Sequence, residues 1–144
     1  MRADDDVEAA VIGVLDELSK QVSNKDVDGV CRLFTEDEDV IWMGGEAEEL
    51  AQGPEALKEL LTKTFQQPPT YVIRWRTRLV SAKGDVAWVV ANPTVHIRVG
   101  DEEVRAPFRV SAVLVYRSGE WKLIVFHSSE PSPAEQAPAE PDPQ

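Results

Sequence analysis

The side chains that could do chemistry are few and scattered. His127 lies in the run Phe126-His127-Ser128-Ser129, and histidine is the one side chain that titrates near neutral pH unaided. Its two-residue period groups it with Trp121, Leu123 and Val125, so a structural or interfacial role is expected rather than catalysis. His96 has no companion donors at ligand spacing and reads as a surface strand residue. With two histidines and the single Cys31 spread along the chain, no zinc site is expected, nor any cofactor. The run Glu36-Asp37-Glu38-Asp39 lacks the spaced ligands and closing glutamate of a calcium loop and is expected to be a solvated loop. Arg74, Arg76 and Arg78 share one strand face, which suits pairing with a neighbouring strand or subunit. No Gly-x-Ser-x-Gly elbow, phosphate loop, dinucleotide fingerprint or paired-cysteine motif occurs, so hydrolase, nucleotide-binding and redox readings lack support.

A chain of 144 residues matches one domain with a single core. Its 26 acidic against 15 basic residues give a net charge of -11, which repels phosphate backbones and anionic lipid, so neither nucleic acid nor a membrane surface is an expected partner. One cysteine permits no internal disulfide, and Met1-Arg2-Ala3-Asp4-Asp5-Asp6 lacks the apolar stretch of a secretory signal. A cytoplasmic setting is expected. No apolar run approaches the roughly 20 residues that span a bilayer.

The elements that position these residues can be read from periodicity. Val7, Val11, Val14, Leu18 and Val22, widened by Ala10 and Leu15, form the stripe of an amphipathic helix. Asp26 can cap a short second helix that buries Val27, Val30, Cys31, Leu33 and Phe34. Val40 to Met43 reads as a short buried strand closed by Gly44-Gly45, and Gly53-Pro54 starts a third helix carrying Leu57, Leu60, Leu61 and Phe65. Beyond Pro68-Pro69 the pattern is strand: 71–80, then 86–99 with Pro93 inside, 104–116 with Pro107 inside, and 121–129 after a Ser118-Gly119 turn. Proline cannot donate to a ladder, so these long strands should bulge and the sheet should curve. From Pro131 onward the Pro, Ala and acidic composition predicts a disordered tail.

The stretch Asp26-Val27-Asp28-Gly29-Val30-Cys31-Arg32-Leu33-Phe34-Thr35-Glu36-Asp37, followed by Gly53-Pro54-Glu55-Ala56-Leu57, resembles the nuclear-transport-factor-like superfamily, which includes SnoaL-like cyclases and ketosteroid isomerases. The run from Arg117 to Ser129 is similar to the last hairpin of the SnoaL-like branch and of the hub domain of calmodulin-dependent kinases. The resemblance covers residues 7 to 130. It implies an α+β, cone-shaped fold of three N-terminal helices on a strongly curved, mostly antiparallel sheet, with a domain at 1–130 and a tail at 131–144. Isomerases of the superfamily use a carboxylate base with a tyrosine and a protonated acid as oxyanion hole. Matching by the same segments places Leu18 at the tyrosine, Trp42 at the base and Arg109 at the second acid. None of these side chains can do that work, so steroid-type enolisation by that constellation is expected to be absent.

The same resemblance implies a pocket. Trp42, Phe65, Tyr71, Ile73, Trp75 and Phe126 are its expected apolar wall, with Ser111 and Ser128 as polar handles. Arg109, if it faces inward, would orient a carboxylate, phosphate or enolate. Trp121, Leu123, Val125 and His127 make one sheet face apolar enough to suit a homodimer. Three functions follow from this: binding of a small, largely apolar molecule with an acidic or carbonyl group; an association module with a vestigial cavity; or a cyclase, dehydratase or isomerase, with Tyr71 the one titratable side chain placed in the pocket.

Overall fold

A computed structural model describes residues 1–46 and 48–131. Of the expected tail at 131–144, everything after Pro131 lies outside the described residues.

Helix α1, Asp5–Ser23, starts where the Asp4 side chain accepts the Val7 N–H at 2.9 Å, with Asp5, Asp6 and Glu8 facing the positive end of the helix. It buries Val11, Leu15, Leu18 and Val22 along one stripe. Asp26 caps α2, Val27–Cys31, by accepting the Gly29 N–H at 2.9 Å. Helix α3, Pro54–Phe65, has proline in its first turn and is entered through Gly53, whose φ of 93° favours glycine. Leu57 and Leu61 are its buried side chains.

The strands form two sheets. The larger contains β1 (Ile41–Met43), β2 (Leu50–Gln52), β4 (Arg78–Lys83), β5 (Val86–Ala91), β8 (Arg109–Arg117) and β9 (Glu120–Ser129), ordered β2-β1-β9-β8-β5-β4. The smaller contains β3 (Thr70–Arg74), β6 (Thr94–Val99) and β7 (Glu102–Pro107), ordered β3-β6-β7. Among the described residues every pairing between these strands is antiparallel except that of β1 with β9. The architecture is therefore α+β with a mixed, mostly antiparallel sheet under the helices. The short β2 has no counterpart in the sequence reading, because Leu50-Ala51-Gln52 is too brief to show a period.

The three long strands expected from alternation are each broken. The breaks fall at 75–77, at Asn92-Pro93 and at Phe108, and there the chain passes between the larger and the smaller sheet. Proline has no N–H to give, so Pro93 ends β5's ladder. The corner is fastened by other bonds: Thr77 N–H to Asn92 Oδ1 at 2.9 Å, Asn92 N–H to Thr77 O at 3.2 Å, and Phe108 N–H to Pro93 O at 3.0 Å. Curvature is thus concentrated in one crease.

A second irregularity decides which way β9 faces. Val113 pairs with Val125 but Leu114 pairs with Leu123, which leaves Ile124 as an extra residue. The bulge reverses the alternation, so Leu123 and Phe126 both point inward while Val125 and His127 point outward. Leu123 is fully buried, and its backbone bonds to Leu33 O and to the Thr35 N–H at 2.8 and 2.9 Å. Trp121 also packs against the core. The expectation that Trp121, Leu123, Val125 and His127 share one exposed face is therefore corrected, since only Val125 and His127 lie on it. Val11, Leu15, Leu18, Val30, Phe34, Leu57, Leu61, Val89, Leu114 and Leu123 form the centre of the core. No helix among the described residues is long and apolar enough to cross a membrane.

Candidate functional site

A cavity of about 340 Å³ opens between the C-terminal half of α3 and the inner face of the smaller sheet. Leu61, Thr64 and Phe65 of α3 form one side, and Tyr71, Ile73, Val95 and Ile97 the other. Its floor is Trp42 on β1 with Phe126 on β9. The two are partners in the parallel ladder, and their rings stack with centroids 4.7 Å apart. Phe34 supports Trp42 from the core at 6.0 Å. Alternation makes this wall, because Trp42 and Phe126 point inward where Ile41, Met43, Val125 and His127 point outward.

Six of the nine residues expected in the pocket line it: Trp42, Phe65, Tyr71, Ile73, Phe126 and Ser128. Three do not. Trp75 lies in the crease under α1, where its Nε1–H donates to Leu15 O at 3.2 Å and the Arg78 guanidinium sits 5.6 Å above its ring. Arg109 and Ser111 are exposed, because the inward row of β8 is Val110, Ala112 and Leu114. Among the described residues the lining contains no arginine, lysine or histidine, so the expected cationic holder for an anionic ligand is corrected.

The charged groups that do line the cavity are acidic. Glu46 and Glu49, from the loop joining β1 to β2, stand at its mouth with Glu130. Glu49 is half-buried, and its carboxyl is raised above the ordinary glutamate value, first by burial and then by the charge of Glu46, against a backbone hydrogen bond at Glu46. The Glu49 side chain lies across Gly44, where a Cβ would collide with its carboxylate. The Tyr71 phenol is also raised, by burial and then by Glu49 and Glu46. Sequence reasoning missed these acids and Phe108, which lines the same mouth. The loop has no periodicity to show which way its side chains point.

Arg78 pairs with Asp16 of α1 at 2.6 Å, rather than with a strand or a subunit, while Arg74 and Arg76 are exposed. His96 Nδ1 lies 3.5 Å from Glu103 on β7, a carboxylate that Arg98 also engages at 2.8 Å. Asp37 of the acidic run pairs with Arg117. Among the described residues no group of three or more histidine, cysteine or acidic side chains could hold a metal ion.

The outer face of the larger sheet is notably apolar. One cross-strand row runs Leu79, Val90, Ser111, His127, Met43, Leu50, and the next runs Trp88, Val113, Val125, Ile41. Leu79, Val90 and Leu50 are more than half exposed.

Comparison with known proteins gives a family and a fold. The family model of the SnoaL-like domain matches residues 11–134. A candidate dehydratase of the NTF2-like family from Streptomyces avermitilis superposes with a TM-score of 0.79 at 17% identity, over 90% of this chain and 98% of that one. A candidate aromatic ring hydroxylase from Novosphingobium aromaticivorans gives 0.76 at 19% identity, over 87% and 89%. A candidate calcium/calmodulin-dependent protein kinase II association domain from Xanthomonas campestris gives 0.72 at 19% identity, over 85% and 86%. No curated protein matches the chain. At these identities the likeness carries the fold alone.

Proposed function

The chain belongs to the SnoaL-like domain family, and from that premise we propose that it binds a small, largely apolar molecule in the chamber beneath α3. The observation that carries this is the unfilled space of about 340 Å³ walled by Trp42, Phe65, Ile73 and Phe126. That volume falls in the range of small-molecule sites. Ser128 and the Tyr71 hydroxyl are the neutral polar handles, and they suit a carbonyl or hydroxyl better than an acid. The acidic end expected for the ligand rested on Arg109, and the described lining offers it no cation. Filling the chamber is the direct test. Ile73→Trp should remove every thermal shift that a ligand screen finds with the natural chain, and equal responses from both proteins would sink the reading.

An enzymatic reading is favoured by one observation, the sharing of this chamber by Tyr71 and Glu49, both with displaced titration. A proton taken or given at Glu49 would serve a dehydration or isomerisation, and it predicts turnover that Glu49→Gln abolishes.

The partner reading is a homodimer through the outer face of the larger sheet. Trp88, Val90, Val113 and Val125 support it, because a sheet face this apolar is rarely left in water. Val113→Lys should convert the dimer to a monomer in light scattering, and a natural chain that is already monomeric at micromolar concentration would end the proposal. A cytoplasmic setting belongs to the same reading, supported by the single half-buried thiol of Cys31.

A further inference from the structure

We propose that the chamber selects an organic cation: a protonated amine or alkylammonium carried on an apolar, ring-sized skeleton, with its charge held at the mouth between Glu49 and Glu46. The inference rests on the binding reading above and adds the sign of the ligand's charge.

Two independent features of the wall agree on that sign. Among the described residues all the charged side chains lining the cavity are carboxylates, Glu46, Glu49 and Glu130, with no basic residue among them. The lining also includes the aromatic rings of Trp42, Phe65 and Tyr71, and an ammonium placed over such a ring within about 6 Å is attracted by its negative quadrupole. An anion would meet repulsion from both.

Glu49 shows what a cation would gain. Its side chain is half-buried against Gly44 at the end of β1. Among the described residues no cationic side chain forms an ion pair with it. A carboxylate partly withdrawn from water and placed beside a second one, Glu46, lacks a counter-charge. A ligand ammonium would supply it while its hydrocarbon part entered the chamber. The net charge of -11 adds a long-range attraction for cations approaching the mouth.

The test uses the full chain and three probes with one skeleton and three charges: tryptamine, tryptophol and indolepropionate, each titrated by calorimetry. Tryptamine should bind about tenfold tighter than tryptophol, as expected for one charge contact at a partly desolvated site, with indolepropionate weakest. Glu49→Gln should collapse the tryptamine-to-tryptophol ratio towards one, and Glu46→Gln should lower it less. Should Glu49→Gln fail to fold, the same ratio measured on the natural chain in rising sodium chloride replaces it, and the ratio should fall as salt screens the mouth. Tryptophol binding as tightly as tryptamine would overturn the charge inference and leave the chamber as a binding site. A ratio untouched by Glu49→Gln, or by salt, would also overturn it. Absence of binding by all three probes would remove the inference and count against the chamber reading as well.

Discussion

Around Leu15, Leu18 and Leu114 the larger sheet is packed closely against α1, whereas beneath the end of α3 the inner faces enclose open space. Leu15, Leu18, Phe34, Leu114 and Leu123 are almost wholly removed from water at the first end. Trp42, Phe65, Tyr71 and Ile73 are only partly buried around about 340 Å³ at the second. Both ends are built from large apolar side chains, so residue type does not separate them. Backbone geometry does, because the strands break at Asn92-Pro93 and Phe108 and the smaller sheet turns away from the layer that the helices fill. A site can thus arise at one end of a core without any loss of hydrophobicity, simply because facing layers are held too far apart to interdigitate.

Truncations should expose this contrast. Leu123→Ala at the packed end leaves a cavity that its neighbours cannot close, and should cost about 3–4 kcal/mol in urea denaturation. Ile73→Ala at the open end removes a partly exposed side chain that already borders open space, and should cost less, about 1–2 kcal/mol. Equal costs at the two positions would break the comparison. Thr35 sharpens it with the opposite sign. Its buried Oγ1 has no hydrogen-bond partner beside the Leu123 backbone, so Thr35→Val should stabilise the fold by about 1 kcal/mol.

The smallest effect belongs to the mouth of the chamber. Glu49 titrates above its ordinary value in the folded protein. Between the ordinary and the raised value the folded state therefore holds more protons than the unfolded one, and stability falls as pH rises through that window. Glu49→Gln should lift the melting temperature by about 1 °C at neutral pH, discounted for the half of the group that water still screens. The gain should vanish below the ordinary value. A gain that grew on acidification would contradict the role of burial.

Where periodicity and capping chemistry agree, the fold was legible. Asp4, Asp26 and Pro54 mark the three helix starts, and the Ser118-Gly119 turn, with both residues at positive φ, joins β8 to β9. The superfamily resemblance and the α+β class hold for the same reason. The parity of β9 was not legible, because Trp121, Leu123, Ile124, Val125 and Phe126 are apolar on both faces and an extra residue at Ile124 leaves no gap in the pattern. Arg109 is a different kind of miss. The apolar row Val110, Ala112, Leu114 turns Arg109 and Ser111 outward, a plainer signal than position within the family pattern. Alternation runs through 71–80 without a visible break and so puts Trp75 on the wall, while the structure ends β3 at Arg74. Glu46 and Glu49 sit in a loop whose path depends on contacts far away in sequence, among them Phe108 packing 3.8 Å from where a Cβ on Gly45 would sit.

The crease also separates two kinds of change that most folds must make together. Because all three crossings lie along one line, a substitution at Asn92, Pro93 or Phe108 could retilt the smaller sheet like a hinged flap. Chamber width would then respond to a few positions outside the packed layer, which could stay unchanged like a keel beneath it.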